Sequence, residues 1–95
     1  MIRHVVMWKL KPRNKQENMG LLIEMLSSLK DEIPEIIDMT VGRSVNSPSD
    51  WDMALVMDVK SLATLETYKN HPKHKLAADF SKRVSLEVSR VDFEI

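Results

Sequence analysis

The sequence contains no cysteine, which excludes disulfides, thiolate catalysis and cysteine–zinc sites. It also lacks an apolar run of the roughly 20 residues that a membrane-spanning helix needs. The first apolar stretch is interrupted by Arg3, His4 and Lys9, so it does not have the apolar region of a signal peptide. We therefore expect a soluble, cytoplasmic protein with no membrane partner.

Neither sign of charge is in excess. The 14 basic residues balance the 14 acidic residues, so nothing in the composition favours nucleic acid or an anionic membrane as a partner. Low-complexity segments and linkers are missing as well. A chain of 95 residues has room for one hydrophobic core, and we predict a single domain over residues 1–95.

The apolar residues that are present follow two kinds of spacing. Alternation predicts strands over residues 2–10, 36–45, 51–60 and 86–94. Spacings of three and four predict helices over residues 15–33, 62–70 and 72–84. This order, with the second helical region broken at Pro72, is typical of an α+β protein whose helices cover one face of a four-stranded antiparallel sheet. We therefore predict a ferredoxin-like βαββαβ plait.

Polar residues and prolines predict where the helices begin. Asn14 and Glu17 form a capping-box-like pair before the first helix, and Ser61 is the expected cap of the second. His71 precedes Pro72, which disfavours helical angles at His71 and suits the first position of the third helix. The polar residues 46–50 predict a turn that joins the second and third strands into a hairpin.

The same spacings predict which side chains face the core. On the second strand the residues in phase are Ile37, Met39, Val41 and Val45. On the second helix they are Leu62, Leu65 and Tyr68. On the third helix they are Leu76, Ala77, Phe80 and Val84.

The face of the sheet away from the helices is also apolar in the predicted alternation. It carries Val5, Met7, Ala54 and Val56. A monomer rarely exposes an apolar patch that crosses several strands. We therefore expect a homodimer that pairs through this face of the sheet. The alternative is that these residues are scattered surface aliphatics, which are normal one at a time.

Four segments of the chain resemble the stress-responsive A/B-barrel domain (Dabb) family. They are His4-Val5-Val6-Met7-Trp8-Lys9-Leu10, the hairpin strand leading into Ser61, Tyr68 with His71-Pro72-Lys73-His74, and the closing Val91-Asp92-Phe93. The resemblance covers nearly the whole chain. It implies a ferredoxin-like plait that pairs through its sheet into a dimeric α+β barrel.

The resemblance also implies candidate catalytic residues. The clearest enzyme type of the family, olivetolic acid cyclase, closes a linear polyketide by aldol condensation without a cofactor. By motif position, Tyr68 resembles its catalytic tyrosine, His74 its general base and His4 its first-strand histidine. Leu22 and Leu26 stand in a region where that enzyme has bulky aromatic residues, so the resemblance implies no particular substrate.

The segment YKNHPKH can be read independently of any family. Tyr68 and His74 are six residues apart and would lie on opposite sides of one continuous helix, but Pro72 breaks that helix and allows them to converge. The helix N-terminus would keep His74 neutral and able to accept a proton. A nearby phenol could stabilise an enolate. Alternatively, the segment is a helix junction capped by His71 or Asn70, and Tyr68 and His4 are hydrogen-bonded core residues.

A cavity between helices and sheet is the expected ligand site. The residues that we predict to contact a small apolar ligand are Val6, Trp8, Leu22, Leu26, Leu55, Met57, His71, Val88 and Arg90. His71 and His74 have a spacing that can bind a metal on one helix face, but Pro72 removes His71 from the helix, so we predict no metal site and no cofactor.

Three functions remain open. The first is a binding module of unassigned activity that holds a small apolar molecule. The second is a cofactor-free cyclase, lyase or isomerase with His74 as general base and Tyr68 as hydrogen-bond donor. The third is a structural, self-associating module in which Trp8, Leu22, Leu26 and Met57 close the interior.

Overall fold

The computed structural model describes residues 1–46 and 48–95. The elements follow in the order β1 (Ile2–Leu10), α1 (Lys15–Glu32), β2 (Ile36–Arg43), β3 (Met53–Val59), α2 (Leu62–Asn70), α3 (Pro72–Val84) and β4 (Ser85–Glu94). The four strands form one sheet in the order β2-β3-β1-β4, and every neighbouring pair is antiparallel. The predicted ferredoxin-like fold is confirmed.

The helix-facing side of the sheet consists of side-chain rows that cross the strands. Because residues directly opposite one another on paired strands point to the same face, the pairing of β1 with its two neighbours defines each row. Three of these rows matter for the site, and from β3 through β1 to β4 they are Met57–His4–Asp92, Leu55–Val6–Arg90 and Met53–Trp8–Val88.

The first helix begins differently from the prediction. Asn14 does precede α1, but its backbone is left-handed, with φ 52°, and its side chain makes no capping hydrogen bond. Asparagine tolerates this conformation better than most residues. The predicted capping box with Glu17 is therefore wrong. At the other end, Ile33 is extended and fully buried, and Pro34 follows it.

The junction between α2 and α3 follows the sequence signals. Ser61 caps α2 in a reciprocal box, since its Oγ accepts from the Thr64 N–H and its own N–H donates to Thr64 Oγ1. His71 is extended, with φ −66° and ψ 136°, and its Nδ1 accepts a hydrogen bond from the Lys73 N–H at 3.1 Å. Pro72 is the first residue of α3. The proline thus separates two helices and gives His71 a capping role.

Strands β2 and β3 are shorter than predicted. β2 ends at Arg43, so Val45 is 98% exposed, and an irregularity in the pairing between Ile36 and Asp38 turns Ile37 outward. Met39 and Val41 keep the expected phase. Trp51 precedes β3, and Lys9 Nζ lies 5.7 Å from the centre of its indole ring. The predicted turn at residues 46–50 includes Ser47, which lies outside the described residues.

Two leucines on the helices are exposed although their spacing predicted burial. Leu62 in the first turn of α2 is 62% exposed, and Leu76 is 60% exposed. α3 buries Ala77 and Val84 and half-buries Phe80. Leu76 lies about 100° around the helix from Ala77, which places it off that buried side. The predicted burial of Leu62 and Leu76 is therefore wrong.

The outer face of the sheet has an apolar centre. Val5 lies directly between Val56 and Val91 on the neighbouring strands. Val56 is 38% exposed and Val91 55% exposed. Beside them, Arg3 donates two hydrogen bonds to the Asp58 carboxylate, at 2.8 and 3.0 Å.

No helix within residues 1–46 and 48–95 has the length and apolarity to cross a membrane.

Candidate functional site

A cavity of about 290 Å³ lies between the sheet and the helices. Nine of the predicted site residues line it, and they are His4, Val6, Trp8, Leu26, Leu55, Tyr68, His74, Val88 and Arg90. They come from β1, α1, β3, α2, α3 and β4. The fold therefore gathers most of the predicted site around one space.

Three predicted ligand contacts do not line this cavity. Leu22 and Met57 are fully buried in the hydrophobic core that strand and helix side chains form together. His71 uses its Nδ1 to cap α3. These three residues therefore lie outside the candidate site that the cavity defines.

Five lining residues were not predicted, and they are Lys69, Ala77, Ala78, Ser81 and Lys82. The last four lie three, four, seven and eight residues after His74, which is the spacing of one face of a helix. The helical spacing from His74 is thus the sequence signal that identifies these four residues. Lys69 adjoins Tyr68 in the chain.

One end of the cavity is formed by three rings. The Tyr68 ring lies 4.4 Å from the His74 ring, centre to centre, and 6.2 Å from the His4 ring. Tyr68 is 1% exposed. Among the described residues, no group hydrogen-bonds the Tyr68 hydroxyl. This hydroxyl is therefore available to a ligand.

The hydrogen bond of His74 leaves one of its two ring nitrogens without a partner among the described residues. Nδ1 of His74 lies 3.1 Å from the backbone oxygen of Lys69. A carbonyl oxygen only accepts, so Nδ1 carries the hydrogen and donates it. In the neutral ring, Nε2 is then left with a lone pair. The kink at Pro72 makes this arrangement possible, because it brings the first turn of α3 back against the last turn of α2.

Burial controls the protonation of both rings. Burial lowers the pKa of His74 below its ordinary value, and the positive charges of Lys69 and Arg90 lower it further. The sequence predicted a neutral ring on the basis of the helix terminus, whereas desolvation is the largest cause in the structure. Burial also raises the pKa of Tyr68 well above its ordinary value, so the phenol remains a hydrogen-bond donor at neutral pH.

His4 has a carboxylate partner that the sequence did not reveal. Its Nδ1 hydrogen-bonds Asp92, which is directly opposite on β4. The side chain of His4 is 6% exposed and that of Asp92 26% exposed. Asp92 holds the His4 ring in one orientation, with Nε2 free of this bond. Only the pairing register of β1 and β4 brings these residues together.

We expect the stability of the protein to fall in acid partly because of His74. Its pKa is lowered on folding, so the unfolded chain binds the proton more readily than the native chain. The stabilisation is present above the ordinary pKa of 6.5 and is lost as the pH falls below it. Between pH 7.5 and pH 5.0, the free energy of unfolding measured in urea should therefore fall more for the wild type than for His74→Gln. Equal losses would contradict the burial of a neutral ring.

Within residues 1–46 and 48–95, no three histidine, aspartate or glutamate side chains are grouped so that they could hold a metal ion.

Several solved structures share this fold. A dimeric protein of unknown function from Bacteroides fragilis is 26% identical, with a TM-score of 0.92, and the match covers 99% of this chain and 95% of that chain. A Dabb-family protein from Mesorhizobium loti is 19% identical, with a TM-score of 0.75 over 99% and 95% of the two chains. A hydroxynitrile lyase from Passiflora edulis is 17% identical, with a TM-score of 0.87 over 99% and 92%.

Sequence comparison gives a family match and no curated relative. Residues 2–95 match the model of the family described as the Stress responsive A/B Barrel Domain. No curated protein matches the sequence.

Proposed function

The chain belongs to the stress-responsive A/B-barrel domain family, and we propose that it binds a small, mainly apolar molecule in the cavity between the helices and the sheet. The observation that carries this proposal is the cavity itself. Protein interiors are packed so closely that voids larger than a water molecule are few. A space of about 290 Å³ is far larger, and it lies near the lower limit of about 300 Å³ for ligand pockets.

The walls of the cavity favour an apolar ligand. Val6, Leu55 and Val88 present aliphatic side chains, and Trp8 presents an indole. The indole N–H donates to Ser81 Oγ at 2.8 Å, which holds Trp8 against α3. A structural module with a closed interior is less well supported, because Trp8 and Leu26 border the space instead of filling it.

Filling the cavity should weaken ligand binding strongly. Ala78 lines it, and Ala78→Phe would place a ring in the space. The neutral ketone 4-ethylacetophenone is a suitable probe, and amide chemical-shift changes in NMR titrations report its affinity. We expect Ala78→Phe to weaken binding by at least about tenfold, because the ligand loses the volume that it occupies.

The matched control is Ala63→Phe. Ala63 is exposed on α2 and does not line the cavity, so this variant should bind as the wild type does. A wild type that binds none of the ketone, or an Ala78→Phe variant that binds it equally well, would contradict the proposal.

The second candidate is cofactor-free acid–base catalysis, which a separate observation favours. His74 Nε2 has a lone pair, and the Tyr68 hydroxyl has no partner among the described residues, at the same end of the cavity. His74 would take a proton from a carbon next to a carbonyl group. The bonding electrons of that C–H would move onto the carbonyl oxygen, where the Tyr68 hydroxyl would donate a hydrogen bond to the enolate.

The surroundings of His74 fit a reversible base. The Lys69 carbonyl accepts from Nδ1 and so stabilises the imidazolium that forms. Burial lowers the pKa of His74, which keeps the base free of its proton at neutral pH and favours return of the proton to product. The lyase from Passiflora edulis indicates that this fold can support lyase chemistry. At 17% identity, the similarity to the chain shows a shared fold only.

We propose in addition that the chain forms a homodimer through the outer face of its sheet. The support is the apolar centre formed by Val5, Val56 and Val91, which several strands share. The 26% identical protein from Bacteroides fragilis is described as dimeric. Pairing two such faces would remove this apolar surface from water.

A further inference from the structure

The cavity has a charge asymmetry that the whole chain does not have. Lys69, Lys82 and Arg90 line it, and none of the described lining residues is acidic. The complete chain has equal numbers of basic and acidic residues. Positive charge is therefore concentrated around an apolar space, and a cleft with charge of one sign and low-dielectric walls attracts the opposite charge.

The charges that line the cavity have little compensation. Within the described ranges, Lys82 and Arg90 form no ion pair. Lys69 Nζ lies 3.8 Å from Glu66, whose side chain is 66% exposed, and exposed pairs of this kind hold a charge only weakly. Asp92, two residues from Arg90 on β4, is bonded to His4. The guanidinium of Arg90 is therefore available to a ligand.

Arg90 is placed close to the three rings. It belongs to the row of Val6, and the next row along the strands contains His4 and Asp92. Neighbouring rows on one face are two residues apart, which is about 7 Å. A ligand with an anionic group at Arg90 can thus reach the ring end of the cavity with another part only a few bonds away.

We propose that the ligand is a small organic carboxylate with an apolar body. The inference rests on the proposed binding function and names its ligand class. Arg90 supplies the only guanidinium among the described lining residues, and its planar fork matches a carboxylate through two parallel hydrogen bonds. Lys69 and Lys82 add positive charge near the site. Val6, Leu55, Val88 and Trp8 contact the apolar body.

A matched pair of probes tests the charge of the ligand. 4-Ethylbenzoate and 4-ethylbenzamide have nearly the same shape and differ in charge. Titrations at pH 7.5 and low salt, followed by amide chemical shifts, give both dissociation constants. We expect wild-type protein to bind the benzoate about threefold to fivefold more tightly than the benzamide, because Arg90 is exposed and a charge pair there is partly screened by water. Higher salt should weaken binding of the benzoate and leave binding of the benzamide unchanged.

Variants identify the residues that cause the preference for the benzoate. Arg90→Gln should remove most of the preference for the benzoate over the benzamide, because the amide side chain has no charge and only Lys69 and Lys82 remain. Arg13→Gln removes an exposed arginine that does not line the cavity and should keep the wild-type ratio. Lys82→Gln should give an intermediate ratio, whereas Lys75→Gln, on the same helix but outside the lining, should not change it. Thermal unfolding checks that each variant is folded.

The outcomes separate the two proposals. Equal binding of the two probes by the wild type would overturn the carboxylate inference and leave the binding function intact. Failure to bind either probe would overturn both. A preference in Arg90→Gln equal to that of the wild type would overturn the role of Arg90. If Arg90→Gln does not fold, Arg90→Lys decides, since it keeps the charge but loses the fork and should retain only part of the preference.

Discussion

Replacing His74 by glutamine is expected to slow hydrogen–deuterium exchange at the methyl group of 4-ethylacetophenone by about 10²–10⁴-fold relative to the wild type, the usual contribution of a positioned general base. Exchange of these protons requires a base beside the carbonyl group, and it needs no knowledge of the natural substrate. Glutamine can still donate to the Lys69 carbonyl, as Nδ1 of His74 does, but it cannot take up a proton. Loss of signal in ¹H NMR in D₂O measures the rate.

Two further variants sharpen this experiment. Tyr68→Phe removes the donor to the enolate and should cost about 10²-fold or more. His71→Asn removes the neighbouring histidine, which caps α3 and does not line the cavity. Asparagine also caps helices, so the exchange rate should be unchanged. A His74→Gln rate equal to that of the wild type would contradict the role of His74. No exchange by the wild type would reject the catalytic candidate and leave binding unaffected.

The second large effect is expected from Val5→Asp, which should weaken the homodimer by at least about 100-fold. Val5 lies between Val56 and Val91 at the centre of the outer face. An aspartate there would be desolvated in a sheet-to-sheet interface without a partner, and an unpaired buried charge costs several kcal/mol, or more than 100-fold in affinity. Sedimentation equilibrium over a range of concentrations measures the dissociation constant.

Val45→Asp is the matched control for the dimer. Val45 is 98% exposed and follows the end of β2, so a charge there should leave the assembly unchanged. A wild-type mass equal to one chain at all concentrations would reject the dimer. A dimer of unchanged affinity in Val5→Asp would place the interface elsewhere on the surface.

The strands and helices were predictable because their signals are local. Alternation along β1 identified both faces of the sheet, and the pair Ser61 and Pro72 fixed the starts of α2 and α3. Ile37 was misplaced because an irregularity in strand pairing shifts the phase by one residue. Nothing in the residue pattern of β2 announces such an irregularity, since it depends on the partner strand.

The site was predictable in part for the same reason. Proline at position 72 indicated that Tyr68 and His74 could converge, and the rings do lie 4.4 Å apart. The sequence left open whether His71 would cap the helix or contact a ligand, and in the structure its Nδ1 caps α3. Asp92 was missed because its contact with His4 spans 88 residues and depends on the register of β1 with β4. Contacts of this range belong to the tertiary fold.

The position of β4 at the edge of the sheet has a consequence for regulation. On the helix-facing side of this strand Arg90 lines the cavity and Asp92 bonds His4, whereas Val91 and Phe93 lie on the outer face. A small molecule and a second protomer would therefore act on the same ten residues. Thermodynamic linkage is reciprocal. If the bound ligand raised the affinity between the two protomers by some factor, dimerisation would raise the affinity for the ligand by the same factor. Protein concentration would then set how readily the molecule responds to its ligand.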